Sequence, residues 1–328
     1  MSKLEALNLS RRAILLGAAA QSALCVSGSL NGTMAAAPML GVMRPTVYRF
    51  KLGRFEITNI LDGIVIRPGP HPIFGQNHPE ALVRDFARKN HLPAMQLENP
   101  YTVTLVNTGQ QLVLFDTGNG EARRDANKGL LRARMAEAGY RPEQVDIVVI
   151  THGHPDHIGG LWEAGAPAFP NAQYVFGEAE FDYWKRGEAI PDRRKKNRAQ
   201  FMSVAVPFAE KATFIKPGQD VVPGIQAVDA FGHSPGMLAY RFESGNSRLL
   251  LWADLTNHYV MSLMKPDWHV LFDHDKDQAV ATRKRILAQV ADDQMPSIGY
   301  HMPFPADGFV ERSGDSFRWV PASYQFNF

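Results

Sequence analysis

The chain has 328 residues, and its 35 Lys and Arg residues nearly balance its 33 Asp and Glu residues, giving a formal net charge of +2. Proteins that bind nucleic acid usually carry a concentrated basic surface, so this balance argues against a nucleic-acid partner. A single cysteine excludes an internal disulfide and a cysteine-rich zinc module. The apolar fraction of 45% is typical of a globular protein.

The first residues have the layout of an export signal. Arg11 and Arg12 precede an apolar stretch rich in Ala and Gly, and small residues lead up to Ala37. The paired arginines resemble the twin-arginine signal of bacteria. We therefore predict a signal peptide at residues 1–37, the twin-arginine export machinery as a partner, and a periplasmic or secreted protein. Gln21 and other polar residues interrupt the apolar stretch, which favours a signal over a stable membrane anchor.

The rest of the chain alternates between strand and helix patterns. Strands are predicted at 47–52, 55–61, 101–107, 112–115, 145–150, 173–176, 213–215, 225–230, 238–242 and 248–253. Helices are predicted at 80–90, 122–138, 178–186, 193–206 and 276–291. Asp62-Gly63 predicts a turn, and the charge run at 193–196 predicts a solvated helix face. No linker or repeat interrupts the pattern, so we predict one α/β domain at 45–328.

Three histidines and an aspartate follow the predicted strand at 145–150. The segment reads Thr151-His152-Gly153-His154-Pro155-Asp156-His157. Open α/β proteins place functional residues beyond the carboxyl ends of their strands. Imidazole nitrogen and carboxylate oxygen are ligands that suit zinc and related metals. The density of such groups on one loop therefore predicts a metal centre rather than core packing.

Other ligand-type residues follow short apolar strands elsewhere in the chain. They are His233, Asp254 and His301, and we expect the strand before His301 to be the last of the core. The four candidate ligands on the loop at 152–157 are too few to surround two metal ions. With His233, Asp254 and His301 the set has seven ligands, which is enough for two. Asp62 and Asp116 also follow strands, and we expect them to orient neighbouring loops or to support a ligand histidine.

The ordered ligand set resembles that of the metallo-β-lactamase superfamily. Segments 232–236, 301–305 and 317–321 look most like the methyl parathion hydrolase and lactonase-like branch. The resemblance implies a four-layer αββα fold, with two mixed β-sheets sandwiched between helices. It also implies two divalent metal ions, with zinc favoured and iron, manganese or cobalt as alternatives. The implied ligands are His152, His154 and His233 for one ion, Asp156, His157 and His301 for the other, and Asp254 as the bridge.

The resemblance further implies hydrolysis by a hydroxide that bridges the two metals, with Asp254 and Asp156 as the catalytic carboxylates. The expected small-molecule substrate contains an ester, lactone or phosphoester, of the aryl ester, acyl-homoserine lactone or organophosphate type. A β-lactamase and a glyoxalase-II-like thioesterase are the enzymatic alternatives. A metal-binding protein that has kept the fold is the non-enzymatic alternative, and a homodimer is left open.

Aromatic side chains are candidates for a substrate pocket. Trp184, Phe201 and His258 are expected to line it, although aromatic residues at such spacing more often pack in the core. The segment 119–124 contains several polar residues. The methyl parathion hydrolase that this branch is named after has a more apolar loop there. This difference argues against a specialised organophosphate hydrolase.

Overall fold

Two seven-stranded β-sheets form the centre of the computed structural model, which describes residues 37–188 and 190–328. The strands are β1 (Val47–Leu52), β2 (Phe55–Pro68), β3 (Gln96–Asn107), β4 (Leu112–Phe115), β5 (Ile147–Ile150), β6 (Trp162–Glu163), β7 (Ala166–Pro167), β8 (Gln173–Gly177), β9 (Thr213–Ile215), β10 (Asp220–Val222), β11 (Ile225–Asp229), β12 (Leu238–Ser244), β13 (Ser247–Leu251), β14 (Ser297–Ile298), β15 (Asp307–Ser313) and β16 (Ser316–Pro321). The helices are α1 (Glu80–Lys89), α2 (Leu131–Glu137), α3 (Pro155–Ile158), α4 (Glu178–Arg186), α5 (Lys195–Val204), α6 (Met261–Met264) and α7 (Lys276–Asp292).

The predicted export signal lies outside the described residues, apart from Ala37 at its end. Residues Arg44–Phe328 form one compact unit. Within the described part of the chain, no helix has the length and apolar character that crossing a membrane requires.

Both large sheets mix parallel and antiparallel pairs. The first has the order β1-β2-β3-β4-β5-β8-β9, and it changes from antiparallel to parallel at β4. The second runs from β10 to β16 in chain order, and its parallel pair is β13 with β14. Strands β6 and β7 form a separate ribbon. Parallel neighbours bring several carboxyl ends to one edge of each sheet, and functional loops leave from such an edge.

The first sheet is buried on both faces. In β5, Val149 packs in the cluster between the sheets, whereas Val148 packs in the cluster that includes α2, α4 and α5. Phe115 of the first sheet contacts Tyr240 of the second, with ring centroids 5.0 Å apart. Leu287 of α7 joins the cluster on the second sheet. Buried parallel strands read as continuous apolar runs, as β5 does. The predicted four-layer αββα arrangement is confirmed.

The turn predicted at Asp62 is wrong, because β2 continues through this residue with a shift in its pairing register against β3. Such a bulge redirects a side chain without ending the strand. The Asp62 carboxylate accepts hydrogen bonds from the backbone N–H groups of Asn119, Gly129 and Leu131 at 2.9, 3.1 and 2.9 Å. The bulge therefore anchors the loop that follows β4.

Two other predicted elements differ from the structure. The helix predicted at 122–138 is interrupted, because Asn127 and Gly129 have φ angles of 57° and 74°. A right-handed helix cannot contain such left-handed residues, so α2 begins only at Leu131. The strand before His301 is not the last, since the β15–β16 hairpin continues the second sheet.

Candidate metal centre

The seven predicted ligands lie in four segments, which follow β5, β11, β13 and β14, and two of the ligands, Asp156 and His157, are part of α3. They form two groups that share one aspartate, and within each group the ligand atoms lie within 4.8 Å of one another. The first group contains His152, His154, His233 and Asp254, and the second contains Asp156, His157, Asp254 and His301. All are buried except Asp156, which is partly exposed. The structure thus brings together every ligand that the strand-end pattern predicted.

The loop after β5 is held tightly against α4. A side chain at Gly153 would place its Cβ 2.4 Å from Nε1 of Trp184, so only glycine fits there. Glu180, which is buried, accepts hydrogen bonds from the backbone N–H groups of Gly153 and Gly236, both at 2.8 Å. One carboxylate therefore fixes the loop after β5 to the loop after β11.

The expected role of two aromatic residues is corrected by this packing. Trp184 and Phe201 are fully buried, and their rings stack with centroids 6.0 Å apart. Neither lines the two cavities that adjoin the metal centre. Both rings pack against the backbone at Gly153, on the side away from the cavities. Large apolar side chains of this kind are usually buried in a core.

Three imidazole nitrogens of the first group converge on one point. Nδ1 of His154 lies 2.9 Å from Nε2 of His152 and 3.0 Å from Nε2 of His233. Burial lowers the pKa of His152 and of His154 well below the ordinary value. Both rings are therefore neutral, and neutral imidazole is the form that binds metals.

Asp254 contacts both groups. Its Oδ2 atom lies 3.3 Å from Nε2 of His233 and 3.0 Å from Nε2 of His301, and its Oδ1 atom lies 3.2 Å from Nε2 of His157. Burial alone would raise the pKa of Asp254, but His301 and His157 hold it well below the ordinary value. Ala253, with a φ of 51°, turns the chain so that the carboxylate faces the centre.

The residues fit a pair of metal ions by a direct test. Nε2 of His157 and Oδ1 of Asp254 are buried and lie 3.2 Å apart, but they form no hydrogen bond with each other, and neither has another partner in the described part of the chain. Buried polar atoms are nearly always satisfied, and an imidazole nitrogen that faces a carboxylate oxygen in this way fits a metal ion held by both. A dinuclear site for divalent metals accounts for both atoms and for the converging nitrogens.

Two ligand histidines are oriented by acceptors on their outer nitrogen. Nδ1 of His157 lies 2.7 Å from Oδ2 of Asp116, and Nδ1 of His301 lies 2.8 Å from the carbonyl oxygen of Pro100. Asp116 also accepts hydrogen bonds from the backbone N–H and the hydroxyl of Thr151, both at 2.8 Å. Such contacts leave Nε2 of each ring towards the metal. Asp116 thus both orients a loop and supports a ligand.

The loop before α7 contributes residues that the strand-end pattern did not predict. Oδ1 of Asp273 lies 2.9 Å from Nδ1 of His233, and Oδ2 accepts a hydrogen bond from Arg283 at 2.9 Å. Nε2 of His274 lies 3.1 Å from Nε2 of His154. The apolar run Val270-Leu271-Phe272 directly precedes Asp273 and His274 in the sequence, but it was not predicted as a strand and forms no strand of either sheet.

Two cavities meet at the metal centre, and His301 lines both of them. The first has a volume of about 330 Å³ and is largely apolar, with Leu97, Met261, Phe304 and His258 among its lining residues. Burial lowers the pKa of His258 to about 4, so the ring is neutral at physiological pH. This cavity suits an apolar portion of a substrate.

The second cavity has a volume of about 240 Å³ and is polar. Four cationic side chains line it, namely Arg67, Arg123, Lys128 and Arg194. The prediction of a solvated face at 193–196 is therefore wrong for Arg194, which is only 8% exposed.

Comparisons with known proteins agree with this geometry. A family model described as the metallo-beta-lactamase superfamily matches residues 98–297. An N-acyl homoserine lactonase from Bacillus cereus is 25% identical over 189 residues, which cover 52% of this chain and 69% of that protein. Matches to lactonases of two other Bacillus sources cover 63% and 64% of those proteins, somewhat less than two thirds of their length.

Solved structures show the same fold over most of their length. AidC, a dizinc quorum-quenching lactonase in complex with the product N-hexanoyl-L-homoserine, has a TM-score of 0.78 at 28% identity, covering 84% of this chain and 97% of AidC. The hydrolase AbOPH has a TM-score of 0.76 at 24% identity, covering 85% of this chain and 98% of AbOPH. The chain belongs to the metallo-beta-lactamase superfamily and is a metal-dependent hydrolase.

Proposed function

We propose that this hydrolase cleaves a carboxylic ester or a lactone, with a phosphoester as the second choice. The single observation that carries the proposal is the position of Asp254, whose oxygens contact histidines of both ligand groups. A carboxylate shared by the two ligand groups would hold two dications close together. When bound there, two divalent ions supply an activated water near neutral pH and polarise the oxygen of the scissile group.

The residues of the chain have separable parts in this proposal. Asp254 joins the two groups, and the side-chain amide of Asn257 donates a hydrogen bond to its Oδ2 atom at 3.2 Å. Asp156 is the one partly exposed ligand, so it lies where a substrate enters. His301 lines both cavities, which supports a scissile bond held between an apolar and a cationic compartment.

The similarity to AidC supports a lactone or ester as the first choice. AidC is 28% identical to this chain, is matched over 97% of its length, and is described with the ring-opened product of an acyl-homoserine lactone. The apolar cavity of about 330 Å³ offers room for an acyl chain or an aryl group.

A substrate panel tests the proposal. Zinc-loaded protein, expected to contain two metal ions per chain, is offered an aryl ester, an acyl-homoserine lactone, an organophosphate triester and a cephalosporin. We expect turnover of the ester or the lactone. Asp254→Ala should abolish that turnover with an unchanged circular dichroism spectrum, whereas Asp229→Ala at the surface should not. Turnover of the cephalosporin alone, or full activity of metal-free protein, would refute the proposal.

We also propose that the protein is exported to the periplasm or secreted by the twin-arginine route. The paired residues Arg11 and Arg12 before the apolar stretch support this proposal.

A further inference from the structure

The cationic cavity holds more positive charge than the metal ligands require. Apart from the ligands Asp156 and Asp254, its described lining contains no acidic side chain. Two divalent ions would outweigh these two carboxylates, so the floor of the loaded cavity is itself positive. The cations of the cavity therefore do not serve to balance the centre.

The four cations come from separate parts of the chain. They are Arg67 in β2, Arg123 and Lys128 in the loop after β4, and Arg194 just before α5. Within the described residues, none of them forms a salt bridge with a carboxylate at 4.0 Å or less. Arg67 lies over the ring of Phe272 and Lys128 over the ring of Tyr101, but among the described residues no carboxylate pairs with either. Three distant segments thus bring charge of the same sign to one cavity.

Two of these guanidinium groups are also incompletely hydrogen-bonded. Nε of Arg67 and Nε of Arg194 are buried and have no partner among the residues that the structure describes. The other hydrogen bonds of these groups go to neutral acceptors, namely the hydroxyl of Tyr101 for Arg67 and the carbonyl oxygen of Phe272 for Arg194. Of the two residues, Arg194 is buried, whereas Arg67 is partly exposed. A cation that is buried without a carboxylate is destabilising, so a neutral donor would serve a purely structural role better than Arg194 does.

The cations also repel one another. Burial lowers the pKa of Lys128, and the neighbouring charges of Arg123 and Arg67 lower it further. Burial lowers the pKa of Arg194 to about 10, together with the charge of Arg193, which does not line the cavity. Mutual repulsion of this kind is relieved when an anion enters the cavity.

We propose that this cavity binds an anionic oxygen group of the substrate, a carboxylate or a phosphate, placed at a distance from the bond that is cleaved. The inference rests on the proposed function and narrows its preferred substrates to esters or lactones that carry an anionic group. Neutral acyl-homoserine lactones and neutral aryl esters would still be hydrolysed, but with a higher KM than their anionic analogues, because they leave the cations of the cavity without an anion. Arg67 and Arg194 suit a carboxylate or phosphate, since a guanidinium can donate two parallel hydrogen bonds to either.

A matched set of esters tests the inference. The 4-nitrophenyl ester of pentanoic acid is compared with mono-4-nitrophenyl glutarate, which replaces the terminal methyl group by a carboxylate. A third ester carries a phosphonate at that position. We expect a KM about 10-fold or more lower for an anionic ester than for the neutral one, the value of one hydrogen bond between charged groups. The anion with the lower KM identifies the group that the cavity prefers.

Variants assign the preference to the cavity. Arg67→Met and Lys128→Met should each raise the KM of the anionic ester about 10-fold and change that of the neutral ester less than about twofold. Lys128→Arg should keep the preference. Arg248→Met and Lys89→Met, which alter exposed cations elsewhere, are the controls and should change neither KM.

A binding measurement separates recognition from turnover. The anilide of glutaric acid resists hydrolysis, and its affinity by calorimetry should fall in Arg67→Met while that of pentananilide stays unchanged. Equal KM values for neutral and anionic esters, or equal losses with both in the variants, would overturn the inference. If no ester in the set is hydrolysed but the anionic anilide still binds in the cavity, the proposed function fails and the anion site stands.

Discussion

Asp273 and Arg283 allow metal binding and folding stability to be separated by mutation. Asp273 lies between Arg283 and the ligand His233, at 2.9 Å from each. Burial alone would raise the pKa of Asp273, but Arg283 and His233 lower it below the ordinary value, so the carboxylate is charged. Both members of the ion pair are completely buried. Arg283 also donates hydrogen bonds to the carbonyl oxygens of Leu255, Pro266 and Trp268, whereas only Asp273 contacts the ligand His233.

The two single variants should differ in what they lose. Arg283→Met leaves a buried carboxylate without its cation and should lower the free energy of unfolding by about 3 to 5 kcal/mol. It keeps the contact between Asp273 and His233, so metal affinity should fall less than about threefold. Asp273→Asn also leaves a buried charge unpaired, but it removes the anionic acceptor of His233 as well. Its metal affinity should fall about 10- to 100-fold.

A double variant and a surface pair complete the design. The variant Asp273→Asn with Arg283→Met removes both charges, so its loss of stability should be smaller than the sum of the single losses. Its metal affinity should match that of Asp273→Asn. Arg285→Met is the control, since Arg285 lies on the same helix but pairs with Asp229 at the surface, 2.7 Å away. Such an exposed pair contributes about 1 kcal/mol or less.

Urea denaturation of metal-free protein measures stability, and competition with a chromophoric chelator measures the affinity for each of the two metal ions. All affinities are taken in conditions where circular dichroism shows the variant to be folded. If Arg283→Met lost as much metal affinity as Asp273→Asn, the carboxylate would act only by maintaining the fold. Unchanged affinity in Asp273→Asn would show that His233 needs no support.

The metal ligands were predictable because each has a local signal. A short strand followed within four residues by His or Asp is a feature of nearby residues in the sequence, and His233, Asp254 and His301 all have it. Buried strands of a two-sheet fold must be apolar over their whole length, which makes their ends visible in the sequence. The four-layer fold and the ligand set could be predicted from the sequence for this reason.

Residues whose position depends on distant packing were not predictable in the same way. Arg194 belongs to a charge run that is typical of a solvated helix, and only the structure, in which it donates a hydrogen bond to the carbonyl oxygen of Phe272, shows that it is buried at the cationic cavity. Trp184 was expected at a substrate surface, but the space next to Gly153 determines that it is internal. Asp62 looked like a turn residue because a bulge and a turn share the same Asp-Gly signal.

Two other predictions concern export and the pH dependence of stability. Replacing Arg11 and Arg12 with Lys should retain the protein in the cytoplasm of a bacterial host, and normal export in fractionated cells would exclude the twin-arginine route. Asp307 is buried, and both of its carboxylate oxygens lack a hydrogen-bond partner among the described residues, so burial raises its pKa to about 6 from the ordinary value of 3.8. The folded protein therefore holds this proton more tightly than the unfolded chain does. Ionisation of Asp307 opposes folding, so its cost is absent below about pH 4, grows as the pH rises, and is complete above about pH 6. A difference of about two pKa units corresponds to about 3 kcal/mol, so Asp307→Asn should raise the free energy of unfolding by about 2 to 3 kcal/mol at about pH 8 and by little at about pH 4. Urea denaturation at both pH values measures this difference, and an equal effect of the substitution at the two values would show that Asp307 does not ionise in the folded protein at the higher pH.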